Sequence, residues 1–318
     1  MSRYRSALPQ LGEKFFLTDG GIETTLIFHE GLNLPDFAAF DLLKTPEGRA
    51  SLYKYYSSYA EISRRFEAGL VLESATWRAN ADWGRKLGYS PESLADANRQ
   101  AIRLLYDIRN QYETVSTPMV ISGCVGPRGD GYVADNAMSA DEAEEYHLEQ
   151  IDIFAGAPAD MVCALTMNYV DEAVGIAKAA QRLRMPVVLS FTVETDGCLP
   201  NGETLRAAIE RVDEATSGYP CYYMINCAHP THFEKVLTGG VWTERIHGIR
   251  ANASRMSHAE LNEASELDAG NPVELGIQYA ALKRVLKRFN VMGGCCGTDQ
   301  RHIEQIASAN LPLFCAVN

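Results

Sequence analysis

The strongest constraint on this chain is a repeated pattern: eight short apolar runs, each followed by a stretch with helical spacing. The runs cover residues 15–20, 69–76, 119–125, 161–167, 187–193, 221–227, 246–251 and 291–295. Most are near-continuously apolar, as parallel strands are when both faces are covered. Ser90-Pro91 supplies a cap and a first-turn proline for a helix in which Leu94, Ala97, Ala101, Leu105 and Ile108 recur on one face. Ser139 and Glu142 form a capping box ahead of the next. Helical stretches at 171–184, 203–215, 231–237, 273–289 and 301–309 continue the alternation. Eight strand–helix units predict an α/β fold: a single (β/α)8 TIM barrel domain over residues 1–318, with its core at about 12–310. A doubly wound open sheet is the alternative. Irregular stretches at 22–41, 127–138 and 195–201 each follow a predicted strand. In a barrel this places them at the C-terminal ends of the strands, where active sites are built.

Charge narrows the partners. Lys and Arg total 29 against 41 Asp and Glu, a formal net charge of -12. With no basic run of five or more, the electrostatic footprint of a nucleic-acid binder is missing. No apolar run reaches the ~18 residues of a membrane span. Met1-Ser2-Arg3-Tyr4-Arg5 leads into mixed sequence without an apolar h-region, which predicts a cytoplasmic protein. There the eight cysteines would be thiols or metal ligands.

The chemistry is concentrated in Gly293-Gly294-Cys295-Cys296-Gly297. Flanking glycines let the backbone turn so that both sulfurs face one point. Cys227, in Asn226-Cys227-Ala228-His229-Pro230, ends another predicted strand. In a barrel, Cys227, Cys295 and Cys296 share one rim. Three thiolates with an open fourth position suit Zn²⁺ and disfavour Mg²⁺ or Ca²⁺. Such a centre is a poor activator of water and a good holder of a fourth thiolate, which it keeps deprotonated near neutral pH. The predicted reaction is attack by a bound substrate thiolate on an electrophilic carbon. His229 is an alternative ligand, although Pro230 behind it reads as a helix start. Cys124, Cys163, Cys198, Cys221 and Cys315 read as packing residues. A metal hydrolase would normally show a His-x-His pair, and none occurs.

Together with Thr18-Asp19-Gly20-Gly21 after the first strand, these two cysteine motifs resemble the homocysteine S-methyltransferase family over about residues 12–310. The resemblance implies a zinc-bearing (β/α)8 barrel with Cys227, Cys295 and Cys296 as ligands. It implies that Asp19 and Gly20 contact the amino-acid end of homocysteine. Glu73-Ser74-Ala75-Thr76-Trp77 matches a family segment ending the second strand, so Glu73 and Thr76 are expected to line the pocket. Trp77 offers an aromatic wall to a sulfonium. Thr166, Asn226 and Asn252 are further expected polar contacts. The family ends its fourth strand with a Glu-Thr pair whose Glu holds the substrate amine; Leu165-Thr166 stands there in this chain. Thr166, Asn168 or Glu194 is then left to compensate, or the acceptor is a different small thiol or selenol. A non-catalytic zinc or thiol sensor is the other alternative.

The expected activity is methyl transfer from a sulfonium donor to the thiolate of homocysteine, giving methionine. With no further domain expected after the barrel, a free small-molecule donor is simplest: S-methylmethionine first, S-adenosylmethionine second, betaine behind both. Oligomeric state is not legible.

Overall fold

The computed structural model describes residues 2–134, 137–264 and 266–315. Asp135 and Asn136, within the stretch predicted to be irregular, and the side chain of Cys315 lie outside that description. Eight parallel strands close into a barrel: β1 (Phe16–Leu17), β2 (Gly69–Glu73), β3 (Met119–Val125), β4 (Met161–Met167), β5 (Val187–Phe191), β6 (Tyr222–Asn226), β7 (Ile246–Ala251) and β8 (Val291–Gly294). Each pairs with its successor, and β8 returns to β1 through Phe16 opposite Val291. The (β/α)8 prediction holds and the open sheet is excluded.

Alternation along each strand sorts side chains between two cores. On β4, Met161, Cys163 and Leu165 fill the barrel interior with Val71, Val120, Cys124, Val188, Tyr222, Met224 and Val291. Val162 and Ala164 face the helices instead, in the larger cluster. Cys124 and Cys163 are buried packing residues, as expected. The same parity turns Glu73, Asn226 and Arg250 inward at the C-terminal ends of β2, β6 and β7.

Ser90 caps the helix Pro91–Tyr112, and the Ser139–Glu142 capping box closes on Ala140–Gly156. A 20-residue helix, Pro46–Arg65, capped by Thr45, joins β1 to β2. The helix predicted over 231–237 is reduced to one turn, Pro230–Phe233. His229 caps it, its Nδ1 accepting from the Thr231 amide at 3.3 Å, which confirms the helix start and commits that ring nitrogen locally. Among the described residues no helix is long and apolar enough to cross a membrane.

Candidate metal centre

β6 ends at Asn226 and β8 at Gly294, so the residues that follow emerge side by side at the rim. The Sγ atoms of Cys227, Cys295 and Cys296 lie within 4.8 Å of one another. Backbone hydrogen bonds bind the three loops together: Cys227 N to Arg250 O (3.1 Å), Cys295 N to Ala251 O (2.8 Å) and Ala253 N to Cys296 O (3.0 Å). Two glycines make the close approach possible. A Cβ on Gly293 would lie 1.8 Å from Thr18 Oγ1, and one on Gly21 would lie 2.6 Å from Cys295 O. Cys227 itself has φ +53°, a left-handed conformation that non-glycine residues adopt at a cost.

In this structure Cys227 and Cys295 are joined as a disulfide, the oxidised form of the expected thiol pair. The adjoining strand ends place their Cα atoms 5.3 Å apart, within the range a disulfide spans. Reduced, the three sulfurs would suit one soft divalent ion such as zinc, whose bonds to sulfur are ~2.3 Å. Cys296 is exposed at the rim.

The surrounding residues hold this cluster in place. The Cys227 carbonyl accepts from Asn252 Nδ2 (3.0 Å) and from His258 Nε2. His258 Nδ1 pairs with Glu194 at 2.9 Å. The Tyr132 ring lies against His258, centroids 4.3 Å apart, and its hydroxyl is 3.7 Å from Cys296 Sγ. Asn252 was anticipated; it acts on a ligand backbone. Glu194, one of the residues left to compensate for Leu165, pairs with His258. Tyr132 and His258 were missed, because neither has a ligand partner at a recognisable spacing. The only signal for Tyr132 was its place in the irregular stretch after the third strand.

Inside the barrel, Asp19 pairs with Arg250 Nη2 at 2.7 Å and accepts from the Tyr55 hydroxyl at 2.9 Å. Arg250 also donates to Gly294 O and Gly20 O. Burial opposes its charge, but the Asp19 and Glu73 carboxylates outweigh it and raise its pKa above the ordinary value. Asp19, expected to take a substrate ammonium, is thus already engaged by a residue that sequence reasoning did not single out. Gly20 contributes its carbonyl to the same cluster.

Asn226 bonds to its neighbours through both ends of its amide. Its Oδ1 accepts from Thr166 N (2.9 Å) and Ser190 Oγ (2.6 Å), and its Nδ2 donates to Thr166 Oγ1 (2.8 Å). These bonds hold Thr166 at φ +64°, an unusual conformation for a β-branched residue. Thr76 Oγ1 donates to Cys124 O at 2.7 Å, fastening the end of β2 to β3. Asn168 Nδ2 donates to Asp130 O and Val133 O, bracing the loop after β3.

Glu73 is buried, with one carboxylate oxygen unpartnered among the described residues. Burial, opposed by the attraction of Arg250, pushes its pKa from 4.5 up to about 7. A carboxyl raised in the folded state binds its proton more tightly folded than unfolded. Its contribution to stability is therefore full below 4.5 and is lost as pH rises through about 7. Glu73→Gln removes that dependence. Relative to wild type, the urea midpoint of the variant is expected to rise between pH 5 and pH 8; a constant difference would contradict the assignment.

The aromatic wall at Trp77 is occupied from within. The Arg78 guanidinium lies 4.2 Å from the Trp77 ring centroid and 3.8 Å from that of Trp83. That face of Trp77 is therefore covered by the protein's own cation.

The profile of the homocysteine S-methyltransferase family matches residues 16–310. The chain belongs to the homocysteine S-methyltransferase family. Among solved structures, the Escherichia coli homocysteine methyltransferase MmuM in its oxidized form is similar at 18% identity, with 96% of this chain and 99% of that chain covered and a TM-score of 0.73. Its metallated form is similar at 19% identity, with 95% and 98% covered and a TM-score of 0.72. These likenesses establish the barrel. Within this methyltransferase family fold, the cysteine cluster sits at the end where barrels carry their active sites.

Proposed function

We propose that this chain, one barrel domain over residues 1–318, transfers a methyl group from a sulfonium donor to the thiolate of homocysteine, giving methionine. S-Methylmethionine or S-adenosylmethionine is the donor. The observation that carries this reading is the convergence of three cysteine sulfurs within 4.8 Å at the C-terminal mouth. Cys227, Cys295 and Cys296 would hold zinc, which supplies the acidity that keeps a neighbouring thiol deprotonated near neutral pH.

In the transfer, the acceptor sulfur's electron pair forms the new S–CH₃ bond as the donor's S–CH₃ bond breaks. The breaking pair stays on the donor sulfur, which leaves neutral, and the thiol proton has already gone to solvent. Negative nucleophile and positive donor cancel, so a mouth of low polarity favours the transition state. Alignment of the two reactants supplies much of the acceleration, up to ~7–11 kcal/mol in favourable cases.

The protein's residues orient and exclude. Asn252 and His258 fix Cys227, and the Tyr132 hydroxyl lies beside Cys296. Glu73, with its unpartnered oxygen, is the group left to meet a substrate ammonium. Asp19, Gly20, Thr76, Thr166 and Asn226 shape the wall around it. A second reading, in which the acceptor is a different small thiol, is favoured by the engagement of Asp19 with Arg250.

The test is metal content and turnover of reduced protein with homocysteine and S-methylmethionine, S-adenosylmethionine or betaine, with and without chelator. About one zinc per chain and chelator-sensitive transfer from a sulfonium are expected. Zinc-loaded, reduced protein that turns over no sulfonium donor would overturn the reading.

A further inference from the structure

Arg78 is a buried arginine, 7% exposed, on the loop after β2. Among the described residues no carboxylate comes within the 4.0 Å of an ion pair, although Asp130, Glu23 and Asp36 all act on it from farther away. Among the described residues its side chain makes one hydrogen bond, from Nη1 to Gly129 O at 3.0 Å, and its buried Nε has no partner. Buried arginines without an anion are costly, and a guanidinium keeps its charge in a protein. Stacking against Trp77 and Trp83 recovers part of that cost and fixes the plane of the fork. What remains without a partner among the described residues is the Nε edge, the kind of edge where a carboxylate binds by two parallel hydrogen bonds.

The place of this edge matters. Gly129 begins the turn that carries Tyr132 to Cys296. Beneath the same turn, Trp77 lies so close that a Cβ on Gly131 would be 3.1 Å from its ring. Arg78 therefore holds the loop whose Tyr132 reaches the cysteine cluster.

We propose that Arg78 is the carboxylate anchor of this site, binding the carboxylate of an amino-acid reactant through the unpartnered edge of its guanidinium. The proposal rests on the methyl-transfer reading for the identity of the reactant. Acceptor and donor both carry a carboxylate, and the arms of the test separate them. Asp19, paired with Arg250, is not called on. The anchor instead supplies a positive charge beside the turn that carries Tyr132 to Cys296.

Binding of L-methionine and methioninamide, and of S-methylmethionine and its amide, to the reduced full-length chain is measured by calorimetry. Wild type is expected to prefer the acid about 10-fold or more in at least one pair, as charge-assisted hydrogen bonds do. The pair showing the preference names the reactant held. Arg78→Met is expected to bring that ratio to within about 2-fold. Arg78→Lys, which keeps the charge and loses the fork, is expected to retain an intermediate preference. An acid-to-amide ratio unchanged in both variants, or no preference in wild type, overturns the anchor. A purely structural Arg78 would weaken acid and amide alike and leave the ratio intact. A chain that prefers acids yet transfers no methyl overturns the reaction and keeps the anchor; turnover that does not distinguish acid from amide does the reverse.

Discussion

Replacing Cys296 with serine is expected to strip the reduced protein of zinc and to lower methyl transfer by more than about 100-fold. The physical reason lies in the donor set. Losing a residue that merely orients a ligand costs ~10–100-fold, and loss of the ligand itself exceeds that. Serine keeps the size of the side chain but presents a neutral hydroxyl, which a soft site holds poorly. Cys296 is the informative choice because it is exposed at the rim and stands outside the Cys227–Cys295 disulfide. Its replacement disturbs no core packing and no cross-link, so a folding defect will not mimic the result. Cys198→Ser is the control: Cys198 is a half-buried free cysteine in the loop after β5, and the variant is expected to match wild type in both metal and rate. A Cys296→Ser protein with one zinc per chain and full activity would remove the basis for the assigned centre. A wild-type protein that requires reductant before it takes up metal would support it, because the disulfide withdraws two of the three donors.

Much of this centre was legible in the sequence, and the reason is local. A strand that ends in cysteine, and a second that ends Gly-Gly-Cys-Cys, must present sulfur at a barrel rim once the alternation of strand and helix fixes the fold. Caps were equally legible, because Ser90 and the Ser139–Glu142 pair act within one turn. What escaped was long-range pairing. Arg250 sits one strand from Cys227 and reaches past β8 to Asp19, 231 residues away in sequence. Nothing near either residue announces the other, so Asp19 read as free for substrate. His258 reaches Cys227 from the segment after β7, and Arg78 fills the slot on Trp77 that a donor cation was expected to use. The Cys227–Cys295 disulfide escaped for a different reason. Compartment argues for thiols, whereas geometry brings the two Cα atoms to 5.3 Å whatever the redox state.

Asp160→Ala is expected to cost about 3–5 kcal/mol of stability, the usual penalty for leaving a buried charge without its partner. Asp160 is fully buried just ahead of β4, at the end of the barrel opposite the cysteines. Its Oδ2 accepts from Arg109 Nη1 at 2.6 Å and from Ile121 N at 2.9 Å. Its Oδ1 accepts from the backbone N–H groups of Arg3 and Tyr4, at 2.6 and 2.8 Å. One side chain thus ties the N-terminal segment, the helix Pro91–Tyr112 and β3 to the start of β4. Alanine would leave the Arg109 guanidinium, 2% exposed, and the Ile121 amide unsatisfied. Asp160→Asn would be milder, because an amide oxygen still accepts while the ion pair is lost. The catalytic mouth lies at the other end of the strands, and barrels separate stability from chemistry along that axis. Protein that remains folded is therefore expected to keep its kcat, with the whole effect appearing as a lower urea midpoint. A matched fall in kcat per folded molecule would mean that the two ends are coupled through the strands, contrary to this division.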